Sequence, residues 1–192
     1  MEMENERRLP LPRQTVWEAL NDPAVLLACI PGCESFDQVE DNTYDAVVNA
    51  KVGPVKARFK GRVTLEDLDP PESYSMSFQG QGGQAGFVKG TASVRLEEED
   101  ADHCRLVYSV KATLGGKLAQ LGNRLIDGAA RKQADDFFDN FVEHMGGGEE
   151  AAAEAAESGA GAEPAAGRSA GVWPWVVAAG AVLVILGVIA LL

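Results

Sequence analysis

The middle of the chain alternates. From Thr43 to Val52 the even positions Tyr44, Ala46, Val48, Ala50 and Val52 are apolar, and most of their neighbours are polar. After Gly53-Pro54 the parity changes. Val55, Ala57, Phe59, Gly61, Val63 and Leu65 now form the apolar set, against Lys56, Arg58, Lys60, Arg62 and Thr64. A period of two over this length predicts two antiparallel strands joined by a tight turn, in a sheet with one wet face. The same pattern returns three times. Tyr74, Met76 and Phe78 alternate with serines; Val88, Ala92, Val94 and Leu96 alternate with polar residues; so do Leu106, Tyr108, Val110 and Ala112, with Val107 out of step. The separators are Asp69-Pro70-Pro71-Glu72, the glycine-rich run Gly80–Gly86, and the acidic stretch Glu97–Asp102.

Ahead of this block, Met3–Leu9 reads as a first strand and Arg13–Asn21 as a short helix with Val16, Trp17 and Leu20 inward. Asp22-Pro23 then opens a second short helix, with Asp22 as its N-cap and Pro23 at its first position, ending near Cys29. Ser35–Glu40 is a further short strand. After the block the period lengthens. Leu118, Leu121, Leu125, Ala129, Phe137, Phe141 and Met145 are spaced three, four or eight apart, which predicts one long amphipathic helix over Gly115–Met145, stopped by Gly146-Gly147-Gly148. Gly122 and Gly128 each cost such a helix about 1 kcal/mol relative to Ala. That cost is tolerable if they make room for a sheet or a bound molecule.

The expected architecture is therefore α+β: a curved antiparallel sheet of about seven strands around a long C-terminal helix, with two short helices after the first strand. A curved sheet closed by one helix tends to leave a cavity between them.

Residues 1–146 are expected to form this domain. Residues 147–171 change composition to Ala, Gly and Glu, an acidic linker. Residues 172–192 carry no charge, and a helix of roughly 20 residues spans the ~30 Å hydrocarbon core of a bilayer. The expectation is a membrane anchor, with Trp173 and Trp175 in the interfacial belt and Val176, Leu183 and Leu192 along the span.

Charge narrows the function. The net charge is -12; Glu149, Glu150, Glu154, Glu157, Glu163 and Arg168 supply -4 of it, leaving -8 for the domain. Phosphates repel such a domain, so nucleic acid is excluded as a partner. By net charge alone it should not lie flat on anionic lipid either. The N-terminus lacks a basic stretch followed by an apolar one, so the domain is expected on the cytoplasmic side of the cytoplasmic membrane. Three cysteines, Cys29, Cys33 and Cys104, argue against a disulfide framework. With His103 and His144 distant, no metal set is expected, and Cys29 and Cys33 read as small apolar residues at a turn. No nucleophile and base are paired by position, and the Gly80–Gly86 run lacks the lysine of a phosphate loop. Enzyme activity is not expected.

Several blocks together resemble one family: LPRQTVWEALNDPAVLLACIPGCE at 11–34, VGPVKARFKGRV at 52–63, GQGGQAGFVKGTASVRL at 80–96 and GGKLAQLGNRLI at 115–126. The chain resembles the G subunit of carbon monoxide dehydrogenase, a branch of the helix-grip superfamily that also holds START, Bet v 1-like and polyketide-cyclase domains. The resemblance covers residues 1 to about 145. It implies the fold derived above and an accessory role for a molybdenum-containing carbon monoxide dehydrogenase or related molybdenum hydroxylase. That protein would recruit the enzyme to the membrane and hold a respiratory quinone, with no covalent cofactor.

The candidate ligand lining is Phe59, Val63, Met76, Phe78, Val88, Tyr108, Leu121, Leu125, Phe137 and Phe141. Taken singly each reads first as ordinary core; taken as a set they read as the wall of a site for a flat hydrophobic molecule, where aromatics and Met give adaptable contact. Gly61, Gly90, Ala92, Gly122 and Ala129 favour unfilled volume. Gly82, Gly83 and Gly86 form the expected mouth, or a hairpin that needs positive φ. Three functions compete: a membrane-tethered carrier of a quinone-like molecule, a pure recruitment factor with a filled core, and a cyclase-like enzyme.

Overall fold

The alternating block folds as a meander. The computed structural model describes residues 1–146. Its elements are β1 (Glu2–Leu9), α1 (Arg13–Leu20), α2 (Pro23–Cys29), β2 (Cys33–Glu40), β3 (Thr43–Val52), β4 (Val55–Asp69), β5 (Ser73–Gln81), β6 (Phe87–Glu98), β7 (Cys104–Gly115) and α3 (Asn123–His144). The seven strands form one antiparallel sheet in the order β1-β7-β6-β5-β4-β3-β2. The parity read from the sequence sets the register. Tyr44 lies opposite Val63, Val63 opposite Phe78, Phe78 opposite Gly90 and Gly90 opposite Ala112, so one face collects the apolar side chains of neighbouring strands. That face curves round α3 and is buried; the other carries the lysines, arginines, serines and threonines.

The short helices follow their local chemistry. The Asp22 carboxylate accepts from the Ala24 N–H at 2.8 Å, and Pro23 occupies the first position of α2. α1 buries Val16, Trp17, Ala19 and Leu20. The α2 end is tied to α3, because Asn140 Nδ2 donates to the Cys29 carbonyl at 2.9 Å and Gln133 Nε2 to the Pro31 carbonyl at 3.0 Å. On the other side Arg7 of β1 pairs with Asp135 at 3.1 Å and with Asp139, and its guanidinium lies over the Phe138 ring.

Two expectations about the C-terminal helix are corrected. It does not begin at Gly115. Gly115 still pairs with Phe87 in the sheet, a 3-10 turn occupies Leu118–Leu121, and α3 starts at Asn123. The break is Gly122, at φ +81 and ψ 147, outside any helical conformation. The buried stripe is also rotated. It is Ile126, Ala130, Ala134, Phe137, Phe138 and Phe141, so in the first half of α3 the inward positions lie one residue after Leu125 and Ala129. β4 is longer than its alternation indicates. It continues through a bulge between Glu66 and Asp69, with Asp67 at φ +50. The linker and the anchor, including Trp173, Trp175, Val176, Leu183 and Leu192, lie outside the described residues. Among the described residues no helix is long and apolar enough to cross a membrane.

Candidate ligand site

The sheet supplies the first group of candidate residues. Phe59 and Val63 on β4, Met76 and Phe78 on β5, Val88 on β6 and Tyr108 on β7 all point inward and are buried. Phe137 and Phe141 of α3 meet them from the helix side and are equally buried. Their rings form a chain. Tyr108 lies 6.0 Å from Phe138, Phe138 5.4 Å edge-on from Phe137, and Phe137 5.7 Å from Phe141, distances at which aromatic pairs attract.

Leu121 and Leu125 do not join that group. Leu121 is half-buried and Leu125 is 41% exposed, a consequence of the break at Gly122 and the rotated stripe. The pair instead lines an open, largely apolar hollow of about 770 Å³ at the start of α3, together with Gly122, Asn123, Arg124, Gly128, Ala129 and Lys132. Leu125 leans against the β3–β4 turn at Gly53, so the strand turn forms one shoulder of the hollow. Gly122 and Gly128 have nothing in front of them: a β-carbon at either position would meet no atom within 4 Å. Of the two glycines the sequence marks as costly, Gly122 proves to lie before the helix and only Gly128 lies within it, facing open space beside this apolar surface.

The glycine-rich loop is folded closely onto the sheet. Residues 83–85 make a 3-10 turn and Ala85 is buried. Gly82 lies on the Phe59 ring, where a side chain would overlap it. Gly86, at φ +121, lies against the backbone of Gly115 and Gly116. Gly83, at φ +60, faces open space. The loop thus combines a positive-φ hairpin with a cover over Phe59, and the hollow sits beside it at the same end of the sheet. Sequence periodicity leaves Gly128 and Ala129 out of the lining, because it puts Ala129 on the core stripe, which the structure turns by one residue; yet Ala129 counts among the small residues that leave volume unfilled, and Gly128 is tolerable in the helix if it makes room for a bound molecule.

Polar groups on the inner side are few. Burial pushes the Tyr44 hydroxyl up to about 12, and pushes Tyr74 up further. The Tyr74 hydroxyl is buried without a hydrogen-bond partner, while that of Tyr108 accepts from Asn5 at 3.5 Å. Burial also raises all three thiols to about 11, so they are protonated at neutral pH and inert as nucleophiles. Cys29 donates to the Asn140 carbonyl and Cys33 to the Ser35 carbonyl, which keeps the pair structural. Among the described residues no group of acids, histidines and cysteines is arranged to hold a metal.

A curved seven-stranded antiparallel sheet closed by one long C-terminal helix, with two short helices after the first strand, is the helix-grip fold. Within that fold the chain belongs to the CoxG family, the G subunit of carbon monoxide dehydrogenase, whose profile matches residues 6–146. Among solved structures it is similar to a conserved protein of Geobacillus kaustophilus, at 28% identity and a TM-score of 0.73, over 77% of this chain and 97% of that one. An aromatase/cyclase of Streptomyces sp. R1128 matches at 14% identity and a TM-score of 0.57, over 79% and 97%. The protein Ara h 8.0201 matches at 14% and 0.53, over 76% and 97%. These last two share the fold alone. Among curated proteins no sequence matches the chain.

Proposed function

We propose that the chain is a non-enzymatic accessory protein of a molybdenum hydroxylase of the carbon monoxide dehydrogenase type. In this reading it holds a quinone-like hydrophobic molecule and is tethered to the membrane by residues 172–192. Family membership supports the partner enzyme. The observation that carries ligand binding is the hollow at the start of α3: an apolar wall of Leu121, Leu125 and Ala129, with Gly122 and Gly128 facing unoccupied space. Gly122 is accounted for by its positive φ, but Gly128 is a helix-weakening glycine beside an exposed apolar wall that packing alone does not explain, since a side chain there would strike nothing.

A second reading has its own support. Phe59, Val63, Met76, Phe78, Val88, Tyr108, Phe137 and Phe141 are each at most 4% exposed and pack as a core, as a pure recruitment factor would have them. The two are separated by native mass spectrometry of the protein extracted from membranes in mild detergent. The carrier retains a quinone or lipid mass in stoichiometric amount and takes up an added short-chain ubiquinone. A protein that stays empty under both conditions is a recruitment factor only. Turnover of an aromatic polyketide would instead establish the cyclase-like alternative.

A further inference from the structure

The charge of the domain is acidic in sum but divided in space. By register, one end of the sheet holds the β3–β4 turn, the close of β5, the start of β6 and the end of β7. The segments that build this end, 46–62, 79–91 and 111–126, contain nine Lys and Arg and not one Asp or Glu. The outer strands bring two carboxylates here, and both are taken up: Glu34 by Arg58 at 2.6 Å and Glu2 by Lys111 at 3.5 Å; α3 adds one more acid, Asp127, the residue next to Gly128 of the hollow. Arg62 is held by Asp45 at the border. Among the described residues, Lys51, Lys56, Lys60, Lys89, Lys117 and Arg124 have no ion-pair partner. Lys51 and Lys56 even stand directly opposite each other across the hairpin, a like-charge pair that costs stability. The opposite rim, residues 64–77 and 95–105, holds nine Asp and Glu against Arg95, Arg105 and His103.

Of the four large apolar side chains that reach solvent among the described residues, two lie at the basic end, while Leu27 and Val39 stand singly on α2 and β2. Phe87 is 42% exposed and Leu125 41% exposed, and Leu125 borders the open apolar hollow. Cations around exposed apolar tips form the combination that suits a surface of anionic headgroups over hydrocarbon.

We infer that this end of the domain is a docking surface for anionic lipid, which sets the hollow against the bilayer and turns the acidic rim away from it. The inference deepens the proposed function, resting on it for the membrane as partner, and supplies the orientation that net charge alone argued against. The acidic rim adds to the orientation, since anionic lipid repels it.

The test uses residues 1–146, which carry the whole core of the described residues; the match to the Geobacillus crystal structure takes in 77% of this chain and 97% of that one. Quinone-free vesicles of phosphatidylcholine, with and without phosphatidylglycerol, are sedimented with the domain. Binding is expected only with phosphatidylglycerol, and to be released by raising salt from about 0.1 to about 0.5 M as screening shortens. A basic residue near such a surface contributes about 1 kcal/mol, or about fivefold, so K51Q/K56Q/K60Q should weaken partitioning about a hundredfold. Removing the opposed lysines relieves repulsion, so the variant should melt no lower than the parent. K89Q/K117Q, on other segments, should cost about twenty-fivefold, and R95Q on the acidic rim should change nothing. Absent binding to anionic vesicles, equal binding to neutral ones, or full binding by either lysine variant overturns the inference. Quinone uptake is titrated separately in detergent. A domain that takes quinone and ignores vesicles sinks the docking surface alone; one that docks and takes no quinone sinks the carrier alone.

Discussion

Gly128 offers a perturbation with opposite signs for stability and for ligand binding. It lies inside α3, in right-handed helical conformation, and a β-carbon there meets no atom within 4 Å. Replacing it by Ala should therefore gain the full helix-propensity difference, about 1 kcal/mol. In a domain of this size that is a rise of about 3 °C in Tm. Replacing it by Leu keeps most of that gain, because Leu is nearly as good a helix former, and places a branched side chain into the apolar hollow. If a quinone-like molecule occupies the hollow, the Leu variant must displace or crowd it, at the usual overpacking cost of about 1–3 kcal/mol. That is a loss of about fivefold to about 150-fold in affinity. Thermal melts followed by circular dichroism and calorimetric titration with a short-chain ubiquinone read both quantities on the same protein. A Leu variant that is more stable yet binds quinone as well as the parent would show that the hollow is not the ligand's place. An Ala variant that melts lower than the parent would mean that the space in front of Gly128 is not free.

Gly122→Ala should behave in the opposite way, losing about 1–2 kcal/mol, because its φ of +81 is strained for any L side chain even though the space is open; a chemical denaturation curve measures it. The hydrogen bonds from Arg62, at 2.6 and 2.8 Å, hold the Asp45 carboxyl below its ordinary value, so the stability it contributes is present above that value and lost as pH falls through the depressed one; R62Q should flatten the acid limb of a stability–pH curve, and an unchanged limb would show that the pair contributes nothing to it. With all three thiols raised to about 11, alkylation by iodoacetamide at about pH 8 should be slow in the folded protein and rapid in denaturant, and rapid labelling of the native state would contradict the burial that raises them. Asp22→Ala should cost about 1 kcal/mol by leaving the Ala24 N–H unpaired at the start of α2, read as a fall in Tm.

The sheet was legible because its parity is nearly unbroken. From Tyr44 to Val63 the buried positions of β3 and β4 are those the alternation picks out, with Val55 and Ala57 the partly buried exceptions. Asp22-Pro23 likewise announced α2 through the chemistry of its first turn. The start of α3 was not legible from periodicity, because Leu118, Leu121 and Leu125 keep helical spacing while Gly116 and Gly122 take positive φ and break the helix. A spacing pattern cannot register a backbone reversal that leaves the intervals intact. The candidate site divides along the same line. The sheet residues and Phe137 and Phe141 lie together because sheet register and helix period placed them, whereas Leu121 and Leu125 lie outside the core because the helix begins later and is turned. The separation of charge was hidden for another reason: it depends on which strand ends are neighbours, and a net of -12 averages over them.

The pairing of β1 with β7 has a consequence for how the chain is made. Six strands, β2 to β7, follow one another as neighbours and can zip up locally as they leave the ribosome. β1 cannot, because Glu2 pairs with Lys111 and Leu9 with Cys104. At about 5–20 residues per second the first strand waits roughly 5–20 seconds for its partner to be synthesised, and α3 comes later still. During that interval the apolar face of the meander lacks its helix, and both the waiting β1 and the last-made edge of the meander are unpaired templates for any other strand in reach. The nascent protein is therefore most exposed to mispairing just before α3 emerges, a period in which a holding chaperone would have the most to protect.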